Sequence, residues 1–301
     1  MAVTIDTECD KSKDWSNSSP LTFKSITYGI PHVFQPLFRK FKIKPTYFLS
    51  PEVIEHSDSA KIFKVIQNNC ELGTHLHSEF IKPKKKFKNF DGKLCNEFQT
   101  DYSDQIEYQK INNLTKLFKK TFKKNPKVFR SGRYAANLNT AKSLIKLGYK
   151  VDSSTTPHLK WQSPKGNWID HQKSPKQPYF IDKENFYKVG FSSLLQIPIT
   201  IHKIKKLYLF DRSKWLRPFY SDFNTMKKII DKTIKENTNK KIIVLNMMFH
   251  SMEIIPGASP YCQTDKDVRN YIQTLKNTFE YAKKKCVRFL TLNEIYNLFK
   301  I

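Results

Sequence analysis

The stretch AVTIDTECD, residues 2–10, begins as a short apolar run rich in β-branched residues and ends in three carboxylates. This pattern predicts a buried β-strand over residues 3–6. If the chain stays extended beyond that strand, Asp6, Glu8 and Asp10 point to the same side. Three unpaired carboxylates are costly in a core, so they require water, a cation or an arginine. The alternative is that only Asp6 faces inward while Glu8 and Asp10 cap the next turn.

Seven further apolar runs alternate with longer segments that have helical spacing. The predicted strands are residues 45–49, 71–77, 128–130, 149–152, 194–199, 242–249 and 287–291. The predicted helices are residues 51–69, 105–122, 139–147, 225–236 and 268–284. This alternation predicts βαβ units around a parallel sheet that closes, or nearly closes, into a barrel. The chain contains no internal repeat and no Ser/Gly/Pro-rich linker, so one domain over residues 1–301 is expected.

Composition excludes several classes of protein. Hydrophobic residues make up 39% of the 301 residues, which is enough for a folded core. The longest nearly uninterrupted apolar run, residues 242–249, is far shorter than the roughly 20 residues that span a bilayer. The opening residues lack the basic and long apolar regions of a signal peptide, so a cytoplasmic location is expected.

The net charge of +26 suggests a nucleic-acid partner, but the type of basic residue argues against one. The chain has 46 lysines and only seven arginines, whereas sites for phosphates and bases favour the forked guanidinium of arginine. A lysine cluster at residues 82–90 has two interpretations. It is either a solvated loop or a peripheral contact with anionic glycan or lipid headgroups.

The segment ELGTHLHSE, residues 71–79, supplies nitrogen ligands at the end of another predicted strand. In an extended segment His75 and His77 share a face. Imidazoles together with carboxylates are the ligands of catalytic zinc or a related divalent ion, with a position left for water. The alternative is that both histidines are core or surface residues without a metal.

Two further strand ends carry residues with a potential role in chemistry. Arg130 and Arg133 lie in FRSGRY, residues 129–134, and an arginine beside an acid keeps that acid ionised. The alternative is two surface arginines on a loop. His250 ends the apolar run at residues 242–249, where it can act as a proton donor unless it is a satisfied core histidine.

Taken together and in this order, these motifs resemble the NodB-type polysaccharide deacetylases, the family-4 carbohydrate esterases. The segments that carry the resemblance are residues 4–10, 73–79, 130–134, 152–161 and 245–251. The phrases around His75, Arg130 and His250 are similar to a branch associated with bacterial surface-polysaccharide or lipopolysaccharide gene clusters. The resemblance implies a deformed (β/α)7 barrel of the NodB type and metal-dependent hydrolysis of an acetyl group, usually the N-acetyl of an amino sugar.

The resemblance also implies roles for individual residues. Asp6 would be the base that takes a proton from water, and Arg130 would hold Asp6. His250 would protonate the departing nitrogen. The backbone near Tyr134 would stabilise the oxyanion.

The sequence departs from the family pattern at two positions. Thr7 stands where the family has a second, metal-binding aspartate, and Glu8 is our preferred substitute. Glu79 stands where the family has its second histidine. The expected metal ligands are therefore Glu8, His75 and His77, with zinc as the expected ion. Glu79 or Asp10 is an alternative ligand, and weak or absent metal binding is the remaining possibility.

The functional hypothesis is a cytoplasmic carbohydrate deacetylase that acts on a carbon–nitrogen bond other than a peptide bond. Its substrate would be an acetylated sugar, a nucleotide-sugar or a lipid-linked glycan precursor of surface-polysaccharide or lipopolysaccharide biosynthesis. Trp161, Trp168 and Trp215 are candidates for stacking on a sugar ring. The first alternative is a non-catalytic glycan-binding relative, and the second, less favoured, is a basic nucleic-acid-binding protein.

Overall fold

The computed structural model describes residues 1–86, 97–206 and 210–300. The strands of these residues are β1 (Ala2–Thr7), β2 (Thr46–Leu49), β3 (Glu71–Leu76), β4 (Val128–Ser131), β5 (Val151–Asp152), β6 (Lys160–Gln162), β7 (Trp168–Asp170), β8 (Tyr179–Phe180), β9 (Leu195–Gln196), β10 (Ile201–Lys206), β11 (Phe210–Trp215) and β12 (Asn246–His250). The α-helices are α1 (Gln35–Phe41), α2 (Pro51–Glu55), α3 (Ser57–Ile66), α4 (Asp104–Phe122), α5 (Leu138–Lys146), α6 (Phe223–Glu236), α7 (Asp265–Lys284) and α8 (Leu292–Phe299). A π-helical segment, Ser25–Phe34, runs directly into α1.

Seven strands run parallel in one sheet of the order β12-β1-β2-β3-β4-β5-β9, and β8 adds an antiparallel edge. Parallel strands require crossover connections, and helices supply most of them here. The predicted α/β class, the deformed barrel and the single domain are therefore confirmed. Two antiparallel pairs, β6 with β7 and β10 with β11, lie outside the main sheet.

Asn246, the first residue of β12, joins the two ends of the parallel sheet. Its carbonyl oxygen accepts a hydrogen bond at 3.0 Å from the amide of Thr200, which lies beyond the end of β9. Its side-chain amide lies 3.2 Å from the carbonyl oxygens of both Ile197 and Pro198, and it donates to Ser153 Oγ at 2.9 Å. These bonds link β12 to the segment after β9, so the curled sheet nearly closes into a barrel.

Strand β1 shows how the sheet separates two environments. Val3 and Ile5 belong to the large apolar cluster formed with the surrounding helices. Thr4 and Asp6 point to the opposite side, as alternation along a strand requires, and both contact Arg130. The inner face of the barrel is therefore polar toward the carboxyl ends of its strands.

Helix α8 fills the amino end of the barrel. Leu292 and Ile295 of this helix pack in one apolar cluster with Ala2 and Phe48. Glu71 fixes the start of the helix, because its carboxylate accepts a hydrogen bond from the amide of Leu292 at 3.0 Å. Apolar packing therefore closes one end of the barrel, and polar side chains gather at the other.

Three expectations about individual elements are corrected. The predicted strand at residues 287–291 is wrong: β1 already pairs with β2 and β12, so it offers no free edge to that segment. The predicted helix at residues 51–69 is two helices, because His56 adopts an extended ψ of 115° between α2 and α3. The segment between the predicted strands at residues 149–152 and 194–199, for which no strand is predicted, contains the β6–β7 hairpin.

One surface feature that the sequence predicts, a cluster of lysines, is only partly described. The predicted lysine cluster at residues 82–90 is described only as far as residue 86, and residues 87–90 lie outside the described residues. Within the described part, Lys85 lies 3.1 Å from Glu55, and Lys86 pairs with Glu97. None of the described helices combines the length and the apolar character needed to cross a bilayer.

The closing role of Asn246 gives a stability prediction. The substitution Asn246→Leu keeps the volume of the side chain but leaves buried partners without hydrogen bonds. We expect it to lower the free energy of unfolding by about 3 kcal/mol in urea titrations. The control is Asn239→Leu at an exposed position, which should change stability by less than about 0.5 kcal/mol. Equal stability of the two variants would contradict the closing role.

Candidate active site

Asp6 and Arg130 form a buried ion pair inside the carboxyl end of the barrel. Arg130 is fully buried, and its Nη1 lies 2.6 Å from Asp6 Oδ1. The other nitrogens of the guanidinium donate to Thr4 Oγ1 and to Ser153, each at 2.9 Å. Burial disfavours a charge on Asp6, but the Arg130 guanidinium together with the imidazoles of His75 and His250 outweighs burial and holds the pKa of this carboxyl below its usual value. Asp6 is therefore an ionised carboxylate in a fixed orientation.

His75 and His77 lie at the end of β3 with their rings 4.8 Å apart. His75 Nδ1 lies 3.0 Å from the carbonyl oxygen of Arg130, to which it can only donate. His77 Nδ1 lies 3.4 Å from Glu79 Oε1, and Arg133 holds that carboxylate at 2.8 Å. The proton on Nδ1 of His75 leaves its Nε2 with the lone pair, which is how proteins orient metal-binding imidazoles.

Glu8 brings a carboxylate to both imidazoles. Its Oε1 lies 3.4 Å from His75 Nε2 and 3.2 Å from His77 Nε2. The donor atoms of these three buried residues all lie within 4.8 Å of one another. Among the described residues, this is the group of His, Cys, Asp and Glu side chains with the spacing to hold a metal ion.

The surroundings of His77 indicate whether the group of Glu8, His75 and His77 suits a cation. Its Nε2 is buried and has no hydrogen-bond partner among the described residues, although Glu8 Oε1 is close. Burial disfavours protonation of His77, but Glu8 and Glu79 outweigh it and raise its pKa to about 9. At neutral pH His77 therefore carries a proton on each ring nitrogen, and a bound cation would replace the proton on Nε2 beside Glu8. One Glu and two His side chains match the donor set of zinc and related divalent ions.

The two alternative ligands lie elsewhere. Asp10 accepts hydrogen bonds from the amides of Lys24 at 2.6 Å and Ser25 at 3.1 Å, so its carboxylate caps the π-helical segment. The expectation that Asp10 shares a face with Asp6 is therefore wrong, because β1 ends at Thr7. Glu79 contacts Nδ1 of His77, whereas Glu8 contacts Nε2 of the same ring. The two carboxylates therefore lie at different nitrogens of His77.

His250 completes the set of predicted residues. It ends β12, and its Nε2 lies 3.9 Å from Glu8 Oε1. Its Nδ1 lies 2.9 Å from Glu253 Oε1, which Arg217 also contacts at 2.6 Å. Glu253 is fully buried, and Arg217 holds the pKa of this carboxyl below its usual value against the opposing effect of burial. Glu253 thus orients the ring of His250 so that Nε2 faces Glu8.

The structure brings all six predicted site residues to one end of the barrel. These residues are Asp6, Glu8, His75, His77, Arg130 and His250. Their roles stay predictions, but their convergence follows from the fold. The carboxyl ends of adjacent parallel strands β12, β1, β3 and β4 meet at the same rim, and β2 separates only β1 from β3.

Each of four carboxylates at this rim has its own basic partner. The pairs are Asp6 with Arg130 at 2.6 Å, Glu8 with Lys11 at 3.4 Å, Glu79 with Arg133 at 2.8 Å, and Glu253 with Arg217 at 2.6 Å. Buried charges are stable only when they are paired in this way. The charge of each of these four carboxylates is therefore compensated by a side chain of the protein itself.

Three members of these ion pairs were not predicted from the sequence. Glu253 lies three residues after His250 in a tight turn, so its spacing was the available signal. Lys11 follows the acidic motif directly and is buried, which no composition rule for lysine predicts. Arg217 lies outside every motif, and the scarcity of arginine in this chain was the remaining signal.

The turn after β4 brings backbone close to the imidazoles. A Cβ atom at Gly132 would lie 2.6 Å from the carbonyl oxygen of Leu76, so only glycine fits there. Arg133 and Tyr134 follow with φ angles of 53° and 55°, a conformation that costs free energy for residues with side chains. The turn therefore lies beside His77, whose Nε2 would be 3.2 Å from a Cβ atom at Gly132.

A cavity of about 670 Å³ opens above these residues. Its wall includes the aromatic residues Trp15, Phe98, Tyr134, Trp161, Trp215, Tyr220 and Tyr261. Trp168, predicted as a third stacking residue, is 55% exposed and lies over Lys160 rather than lining this cavity. Trp161 and Trp215 therefore remain candidates for contact with a ring-shaped ligand.

No family model matches the chain, and no curated protein matches it. Among solved structures, the chain is similar to Puue allantoinase with 12% identity and a TM-score of 0.59, covering 98% of this chain and 88% of that one. It is also similar to a candidate polysaccharide deacetylase from Mycobacterium smegmatis with 12% identity and a TM-score of 0.52, over 98% and 88% of the two chains. At this identity the likeness concerns the fold, and it confirms the barrel of the deacetylase type that the motifs predicted.

The geometry predicts that the chain binds one zinc ion through His77. In the variant His77→Ala, one of three ligands is missing, so the zinc dissociation constant should rise at least about a hundredfold. Isothermal titration with zinc measures this change. The exposed His32→Ala variant should bind zinc as the wild type does. Identical zinc binding by both variants would place the ion elsewhere.

Proposed function

We propose that this chain is a zinc-dependent hydrolase that removes an N-acetyl group from an amino sugar or glycan precursor. The observation that carries the proposal is the convergence of three buried donor residues, Glu8, His75 and His77, whose donor atoms all lie within 4.8 Å of one another. The same cavity holds a carboxylate and an imidazole, Asp6 and His250, each fixed by a buried partner. These are the parts that hydrolysis of an amide requires.

Glu8, His75 and His77 would hold the metal. When bound, a divalent ion supplies a Lewis acid for the acetyl carbonyl and lowers the pKa of water. Asp6, which Arg130 keeps ionised, takes a proton from the attacking water. The backbone at Tyr134 stabilises the negative charge that develops on the carbonyl oxygen.

His250 serves the second half of the reaction. Its Nε2 faces the cavity, while Glu253 holds the opposite nitrogen. His250 gives a proton to the nitrogen as the carbon–nitrogen bond breaks, so the products are acetate and a free amine. The roles of Asp6 and His250 therefore separate into proton acceptor and proton donor.

The substrate part of the proposal rests on the resemblance and on the aromatic wall. Trp161 and Trp215 line the cavity and offer flat faces to a sugar ring. We place the reaction in the cytoplasm, on a nucleotide-sugar or lipid-linked precursor for a surface polysaccharide or lipopolysaccharide. A contact of the lysine cluster with anionic lipid headgroups is part of the same proposal, and a nucleic-acid partner is not.

The proposal predicts that Asp6→Asn loses activity and keeps its metal. Acetate release from a panel of N-acetylated amino sugars, nucleotide-sugars and oligosaccharides should fall about 100-fold to 10,000-fold, because the proton acceptor is gone. Zinc binding should persist, since Asp6 is outside the ligand group. The exposed Asp58→Asn variant is the control. Zinc binding with no acetate release by the wild type would favour a non-catalytic glycan-binding protein.

Glu253→Gln tests the orientation of His250. The neutral amide no longer attracts the Nδ1 proton, so kcat should fall about tenfold to a hundredfold with little change in KM. The melting temperature of the variant should be measured together with kcat, because Arg217 loses its charged partner and a loss of stability must be separated from a loss of catalysis. The control Glu280→Gln removes an exposed carboxylate on α7. A kcat equal to that of the wild type would exclude a role for Glu253 in catalysis.

A further inference from the structure

Lys11 is buried beside the candidate metal ligands. Its side chain is 7% exposed, and its Nζ lies 3.4 Å from Glu8 Oε2. The same atom lies 2.5 Å from Asn17 Oδ1 and 3.7 Å from Cys9 Sγ. The backbone of Lys11 is also fixed, because it bridges to Asn17 and donates a hydrogen bond to the carbonyl of Ala258 at 2.9 Å. Lys11 is therefore a rigid positive charge rather than a mobile surface lysine.

The two oxygens of the Glu8 carboxylate face different partners. Oε1 faces the Nε2 atoms of His75 and His77, and Oε2 faces the ammonium group of Lys11. Among the described residues, Lys11 Nζ makes no hydrogen bond to either imidazole. The ammonium group thus occupies the outer side of the carboxylate and leaves the side of the imidazoles free.

This arrangement has two electrostatic consequences. A carboxylate whose second oxygen is paired with an ammonium group can offer a metal ion only its first oxygen. A fixed positive charge next to a ligand also repels a dication, because the interaction of charges is strong in a site shielded from water. A site built for the tightest binding would not hold a buried lysine there.

We infer that Lys11 is a positioning residue that holds Glu8 as a one-oxygen ligand, at a cost in metal affinity. The inference rests on the proposed function and concerns the effect of Lys11 on the metal site of that function. A Glu8 carboxylate that offers one oxygen would leave room at the ion for the water and the acetyl oxygen that hydrolysis requires. The nearby ammonium group withdraws electron density from Glu8, so the bound ion stays a stronger Lewis acid.

The test measures zinc affinity of the full chain by competition with a chelator. Lys11→Met removes the charge and keeps the length, so it should bind zinc at least about tenfold more tightly than the wild type. Lys11→Arg keeps the charge and should stay within about threefold of the wild type. Lys13→Met removes an exposed lysine two residues away and should leave the affinity unchanged. With zinc saturating, Lys11→Met should release acetate more slowly.

The direction of the change is decisive, because loss of a merely structural residue would weaken zinc binding or leave it unaltered. Lys11→Gln keeps a hydrogen-bond donor toward Glu8 without the charge, and it provides the same comparison if Lys11→Met does not fold. Zinc binding by the neutral variants that is equal to or weaker than that of the wild type overturns the inference and leaves the proposed function standing. Absence of zinc binding by the wild type overturns both.

Discussion

The ion pair between Asp6 and Arg130 is the interaction on which the site depends. Arg130 reaches across the barrel interior from β4 to β1, and its guanidinium also binds Ser153 beyond β5. Its own carbonyl oxygen accepts a hydrogen bond from Nδ1 of His75 on β3. One buried side chain and its backbone therefore fix the acid and one imidazole in relation to each other. A buried charge without its partner costs several kcal/mol, so this geometry is tied to the stability of the fold.

The ends of the strands were predictable because the chemistry of the side chains changes there. Asp6, His75, Arg130 and His250 each lie at or near the carboxyl end of a strand predicted from the sequence, and parallel strands place their carboxyl ends at one rim. Which strands lie side by side in the sheet could not be predicted from such changes along the sequence. The antiparallel strand β8 beside β9 and the closure through Asn246 depend on contacts between residues distant in sequence.

The partners of the site residues were harder to predict than the residues themselves. Asp10 follows the same alternation as Asp6 and Glu8, yet it caps a helical segment because β1 ends at Thr7. Lys11 resembles the many other lysines of this chain in sequence, and only its burial against Glu8 distinguishes it. Such pairings follow from the electrostatic need to compensate buried charge, which becomes visible only when the fold brings the charges together.

The central claim is that Glu8, His75 and His77 share one cation. A crystal structure of the chain with zinc, with diffraction recorded at the zinc absorption edge, tests it most directly. We predict a single anomalous peak at roughly 2.0–2.2 Å from Glu8 Oε1 and from the Nε2 atoms of both histidines. A peak located away from these three atoms, or none at saturating zinc, would contradict the account.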